Sequence, residues 1–201
     1  MDAAHAVECP LDPRVERTRR VVLEATTELL AEEGYGAVTI EAVAARSGVA
    51  KSTIYRHWPG RVELINDAFQ ALKLPMPDST EGSVRDQVIA RLEHLARSLT
   101  GSRWSSCLPT LIDAAEHDPE ARALHGRLTS AGRQAMVDLL REGVEKGEFP
   151  ADLDPEVMVD ALAGPIFLRR LMSPDAPFDP ASVRHLVDQL LPSHERTQQH
   201  A

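Results

Sequence analysis

Residues 46–61 carry four cations, Arg46, Lys51, Arg56 and Arg61, and no acidic side chain, in a chain of 201 residues whose formal net charge is −9. Between them stand the hydroxyls of Ser52, Thr53 and Tyr55 and the imidazole of His57. Cations release the counterions of nucleic-acid phosphates, and hydroxyls donate hydrogen bonds to phosphate oxygens. Lysine or arginine also matches the acceptor edge of guanine, and a small hydroxyl suits several base edges. Arg14, Arg17, Arg19 and Arg20 form a second basic cluster, diluted by Glu16. A local patch suffices for DNA even on an acidic protein. A charge run can also be no more than a solvated helix face. Here it coincides with a turn and caps, which favours the DNA reading.

Those side chains need a scaffold, and residues 39–61, TIEAVAARSGVAKSTIYRHWPGR, supply its outline. Ile40, Val43 and Ala44 share one face of a short helix, and Thr39 stands before it as an N-cap. Gly48 suits the positive φ of a turn, with Val49 as an apolar plug beneath it. A second helix over residues 51–58 places Ile54 and either His57 or Trp58 on its buried side. Lys51, Ser52, Thr53, Tyr55 and Arg56 then face largely outward. Pro59-Gly60 stops that helix and Arg61 opens the next. The pattern is the helix-turn-helix, which puts a short helix into the DNA major groove.

Residues 15–72 resemble the DNA-binding domain of the TetR family of bacterial transcriptional regulators. The strings that carry the resemblance are ELLAEEGYGAVTIEAVA, ARSGVAKSTIYRHW and GRVELINDAF, with Gly34, Thr39, Gly48, Val49, Tyr55 and Trp58 at matching spacing. Two departures stand out. Ala50 occupies a position where members often carry a capping Ser. Trp58-Pro59-Gly60-Arg61 stands where many have Phe-x-Ser/Asn-Lys, which keeps a cation but alters its reach. The resemblance implies that Thr39, Lys51, Ser52, Thr53, Tyr55, Arg56, His57 and Arg61 face DNA. Tyr55 matches a tyrosine that contacts phosphate, and Arg61 matches a backbone-binding lysine at a helix N-terminus. Base reading falls to Lys51, Ser52, Thr53 and Arg56. His57 fits packing against the scaffold equally well, and Trp58 fits the core.

Composition points to an all-α protein in two domains. Aromatic residues make up only 4% of the chain, so aliphatic side chains must do the packing. The prolines are expected at helix boundaries. The expected organisation is an N-terminal tail (1–13), a three-helix helix-turn-helix domain (14–60) and a linking helix (61–74). A helical-bundle effector and dimerisation domain (75–192) and a polar tail (193–201) follow. Val88, Leu92, Leu95 and Leu99 make one apolar stripe, and Trp104, Leu108, Leu111, Ile112 and Ala115 another. A long segment over 119–146 turns Leu124, Leu128, Ala131, Ala135 and Leu139 inward and stops at Gly147. Asp154-Pro155 and Asp179-Pro180 each announce a helix with proline in its first turn.

KGEFPADLDPEVMVDALAGPIFLRRLM with FDPASVRHLVDQLL resembles a subgroup of TetR-family C-terminal domains. The resemblance implies a homodimer in which the last two helices pair with their copies as a four-helix bundle. Ile166, Leu168, Leu171, Val183, Leu186, Val187 and Leu190 are the exposed-stripe candidates, although such a stripe can also be internal core. It further implies a small apolar or amphipathic effector held between helices. Trp104, Cys107, Leu108, Leu111, Ile112, Met136, Met158 and Phe167 are the candidate walls, with ordinary core packing as the alternative. The implied partners are a double-stranded DNA operator, a second copy of the chain and that effector, with no cofactor.

Other classes find less support. No apolar run reaches membrane-spanning length, no secretory signal opens the chain, and Cys9 and Cys107 lack metal-type spacing, so a cytoplasmic protein with neither disulfide nor metal is expected. An enzyme would have its best acid–base cluster at Glu116, His117 and Asp118, but consecutive helical residues diverge, and a helix-end cap explains them more simply. A DNA-binding architectural protein without effector is the third class.

Overall fold

The computed structural model describes residues 13–75, 82–173, 175–176 and 178–191. The expected tail 193–201, the expected tail 1–13 except Pro13, Cys9 and most of the loop after Pro75 lie outside the described residues. Nine α-helices and one 3-10 turn make up the described chain: α1 (Pro13–Glu32), the 3-10 turn (Tyr35–Ala37), α2 (Ile40–Ser47), α3 (Lys51–His57), α4 (Arg61–Leu72), α5 (Val84–Leu99), α6 (Arg103–His117), α7 (Pro119–Glu145), α8 (Pro155–Met172) and α9 (Pro180–Leu190). They form two compact units that divide between Ala71 and Leu72.

The division moves α4. It was expected as a separate linking helix, yet it buries Leu64, Ile65, Ala68 and Phe69 and so belongs to the first unit. In that unit, α1 contributes Val22, Ala25, Leu29 and Leu30 to the core, and α2 contributes Ile40 and Val43. Thr39 caps α2 by accepting from the Ala42 N–H at 3.0 Å. Gly48 ends it in the left-handed region, at φ 69°, where a side chain would be strained. α3 starts at Ala50 with no side-chain cap. Seven residues do not make a stable helix alone. The buried Ile54 and Trp58 hold it in place.

The second unit is built on α5, with α7, α8 and α9 packed against it. Its helices start on strong local signals. Ser83 and Asp86 form a capping box on α5, and Ser102, Asp118, Asp154 and Asp179 cap α6, α7, α8 and α9. Each such cap contributes on the order of 1 kcal/mol. Pro119, Pro155 and Pro180 sit in first turns, where a missing N–H costs nothing. Pro109 and Pro165 break the expected pattern, since they lie inside α6 and α8.

α7 also departs from the expected stripe. Leu124, Leu128 and Leu139 are buried, but Ala131 is exposed and Ala135 only half-buried. The buried face resumes at Met136, Val137, Leu139 and Leu140. Phe149, between α7 and α8, is buried in the core over Gly143. Arg133 ties α7 to α8 through Glu156 at 3.0 Å and through Asp160. No helix among the described residues is long and apolar enough to cross a membrane.

Candidate nucleic-acid interface

On α3 the helical period puts Lys51, Ser52, Tyr55 and Arg56 on one face, opposite Ile54. All four are exposed, and Tyr55 keeps 51% of its surface in water although its ring is large and mostly apolar. Thr53 and His57 are half-buried at the edges of that face. Trp58 takes the buried position that His57 or Trp58 could have filled.

Trp58 is held at three points. Its ring is almost fully buried, its Nε1–H donates to the Asp67 carboxylate at 2.9 Å, and the Arg19 guanidinium lies 4.9 Å from its ring centroid. Arg19 reaches the same Asp67 oxygen at 2.8 Å. One carboxylate on α4 therefore fixes the end of α3 to α1. Arg19, expected within a basic cluster toward DNA, is a scaffold residue here. Sequence reading missed Asp67, because its two partners lie 48 and 9 residues away.

The cation run is also divided. Arg46 bonds Glu32 and Glu33 at 2.9 Å each and lies 3.8 Å from Glu28, so acids at the end of α1 and in the turn after it neutralise it. Lys51 pairs with Glu41 of α2 at 2.9 Å. Arg61 lies with its guanidinium 4.5 Å from the Tyr35 ring centroid, its Nε buried without an acceptor. Arg56 has no acidic partner among the described residues. Thr39 is exposed, and its oxygen takes the Ala42 N–H while its own O–H remains able to donate.

The Glu41–Lys51 pair competes with any phosphate or base for Lys51. An exposed pair of this kind contributes little to stability, being screened by solvent. Glu41→Gln is expected to raise DNA affinity roughly two- to fivefold while leaving the melting temperature nearly unchanged, as a paired binding titration and thermal melt would show. Unchanged or weaker binding would remove Glu41 from this role.

His57 supplies a pH prediction. Burial, followed by the nearby Arg19 and Arg56 charges, lowers its pKa below the ordinary histidine value. The folded state thus takes up a proton less readily than the unfolded chain. Its contribution to stability is fully present above pH about 6.5 and is lost as pH falls through the lowered value. His57→Gln should reduce the loss of melting temperature between pH 7 and pH 5.

In the second unit, the expected effector walls are largely core. Leu108 and Met136 are buried within the main cluster, and Trp104, Ile112, Met158 and Phe167 pack on it, partly buried. Cys107 and Leu111 are fully buried, and burial pushes the Cys107 thiol up to about 11. None of the eight lines the cleft of about 220 Å³ found in this unit. Their apolar faces are spent on packing between helices. The exposed stripe fares similarly: Ile166, Val183 and Val187 are interior residues, because α8 and α9 use those faces against α5. Leu186 and Leu190 are half-buried, whereas Leu168 and Leu171 are 62% and 52% exposed.

The acid–base trio does not converge. His117 Nδ1 lies 3.1 Å from the carbonyl of Asp113 on its own helix, and Asp118 caps α7. Among the described residues no group of three His, Cys, Asp or Glu is placed to hold a metal ion.

A glycine turn between two short helices, the second displaying cations and hydroxyls from a packed three-helix scaffold, defines a helix-turn-helix DNA-binding head. Residues 22–68 match the family model for bacterial regulatory proteins of the tetR family, and residues 76–190 match the tetracyclin repressor-like C-terminal domain. The chain is 38% identical over 179 residues to the HTH-type transcriptional regulator YdeS of Bacillus subtilis, covering 87% of this chain and 88% of that protein. It is 29% identical over 181 residues to the DNA-binding transcriptional repressor TetR of Mycobacteroides abscessus, covering 89% and 94%. A solved TetR-family transcriptional regulator from Rhodococcus sp. shares the fold, with a TM-score of 0.72 at 20% identity over 88% of this chain and 99% of that one. The chain belongs to the TetR family of bacterial transcriptional regulators, and it is a DNA-binding regulator of transcription.

Proposed function

We propose that the protein is a homodimeric repressor that reads an operator through α3 and is released from it by a small molecule bound in its second unit. The observation that carries the DNA reading is the exposed face of Lys51, Ser52, Tyr55 and Arg56 on a helix anchored by Trp58. Lys51 and Arg56 are assigned to guanine edges, with Ser52 and Thr53 adding hydroxyl contacts. Tyr55, Thr39 and Arg61 are assigned to phosphates, with the N-terminus of α4 assisting Arg61. His57 is assigned to the edge of the interface, where its half-burial serves both packing and contact.

Dimerisation finds support on α8. Val157, Leu168, Leu171 and Met172 are large apolar side chains left exposed, at 64%, 62%, 52% and 74%. Exposed apolar side chains on one helix, three of them grouped at its C-terminal end, favour a partner surface. The interface assigned here is therefore Leu168 and Leu171 with Met172 and Val157, flanked by Leu186 and Leu190. Two α3 helices related by a two-fold axis would read half-sites about one DNA turn apart. Repressor action follows from the likeness to a named repressor. A cytoplasmic, non-enzymatic role fits the same reading.

Selection of binding sites from random DNA, with the mass of the protein in solution, tests this. A two-fold symmetric site bound by a protein of twice the chain mass is expected. An asymmetric site, or a monomer that binds as well as the parent after Leu168→Asp, would overturn the dimer.

A further inference from the structure

Ser105 is one of few buried polar residues among the described ones, and it holds an arginine. Its hydroxyl donates to the Leu99 carbonyl at 2.8 Å and accepts from Arg170 Nε. Its carbonyl accepts from Arg170 Nη2 at 3.0 Å. In an unbroken helix that carbonyl would be taken by the N–H four residues on. Here that residue is Pro109, which has none, so the Ser105 oxygen is left available. A proline inside α6 and a buried serine thus fix one side of the Arg170 fork.

The other side has no such partner. A guanidinium carries five N–H donors. Ser105 uses Nε–H and one Nη2–H, leaving the Nη1–Nη2 edge without an acceptor among the described residues. No carboxylate among them pairs with Arg170, which is half-buried. Arg170 lines the cleft of about 220 Å³. Leu99, Ile166 and Phe178 form apolar parts of its wall, and Thr100 and Ser106 add hydroxyls. A positioned cation without counter-charge, beside a partly apolar cleft, is a receptor for a planar anion with an apolar body.

We propose that this cleft binds a small monocarboxylic acid, its carboxylate held bidentate by Arg170 and its apolar body lying against Leu99, Ile166 and Phe178. The volume falls below the roughly 300 Å³ at which ordinary small-molecule pockets begin, so the acid is short-chain or monocyclic. The proposal rests on the reading of the second unit as the effector-binding one, and it names the effector's class.

The probes are benzoate and hexanoate, with benzamide as the uncharged counterpart and inorganic phosphate as a non-planar anion. Binding to the full-length protein is read by calorimetry, and operator affinity is measured with and without each probe. Saturable binding of benzoate or hexanoate is expected, with benzamide and phosphate much weaker. Arg170→Gln should lower carboxylate affinity by about tenfold to a hundredfold, and Arg170→Lys by less. Ser106→Phe, which fills the cleft but keeps Arg170, should also abolish binding, with circular dichroism checking the fold of each variant. Failure of both carboxylates to bind, or equal binding to Arg170→Gln, overturns the site. Carboxylate binding that leaves operator affinity unchanged upholds the site and removes its regulatory role. Release by benzamide alone keeps effector control and overturns the carboxylate assignment.

Discussion

Trp58→Ala is expected to abolish operator binding and to destabilise the N-terminal unit by about 3–5 kcal/mol, the range for deleting a large buried aromatic. Native domains are stable by only about 5–15 kcal/mol, so the loss is a large part of the total. The substitution opens a cavity where α1, α3 and α4 meet and removes the hydrogen bond to Asp67. It also strips α3 of one of its two anchors, Ile54 being the other. Trp58→Phe should keep most of the packing and lose only about 1 kcal/mol for the missing N–H, because Asp67 retains Arg19 and is partly solvated. Denaturant unfolding, with DNA binding measured on the same samples, checks both variants. Equal effects of Ala and Phe would show that the Asp67 bond, rather than packing, holds the helix.

The second large effect lies in the C-terminal unit. Phe149→Ala should cost about 3–5 kcal/mol, since the ring is buried and rests on the backbone of α7 at Gly143. A Cβ at position 143 would come within 2.2 Å of that ring, far inside van der Waals contact. Gly143→Ala alone is therefore expected to destabilise by about 1–3 kcal/mol, overpacking outweighing the gain in helix propensity. In the Phe149→Ala background the clash is gone. There the same substitution should stabilise, by up to about 1 kcal/mol, because alanine is the better helix former. This reversal of sign is read from a double-mutant cycle of unfolding free energies. Destabilisation in both backgrounds would mean that something other than the Phe149 ring requires the glycine.

Local signals were legible and distant pairings were not. Thr39 before an apolar face, Gly48 after it, and Asp154-Pro155 and Asp179-Pro180 ahead of helices each act within a few residues, and each stands where expected. The missing cap at Ala50 was equally readable. Arg46 shows the limit. It counts as a free cation along the sequence, but folding brings Glu28, Glu32 and Glu33 around it. Arg19, Trp58 and Asp67 meet only once α1, α3 and α4 are packed. Arg170 and Ser105 are 65 residues apart, and Pro109 looked like a boundary rather than the source of a freed carbonyl. Periodicity finds the apolar faces of α8 and α9 but does not say which one a partner covers. That is why Ile166, Val183 and Val187 were assigned to an outer surface and lie within the unit.

The most direct test of the account is the salt dependence of DNA binding by the wild type and by Tyr55→Ala, Arg56→Ala and Lys51→Ala, on the selected operator and on unrelated duplex. Tyr55→Ala should weaken binding on both duplexes. Arg56→Ala should weaken it most on the operator, where its guanine contact is lost. Lys51→Ala should act chiefly on the operator and relax its preference at one guanine. Wild-type affinity and slope in all three variants would contradict the claim that α3 is the surface that reads DNA.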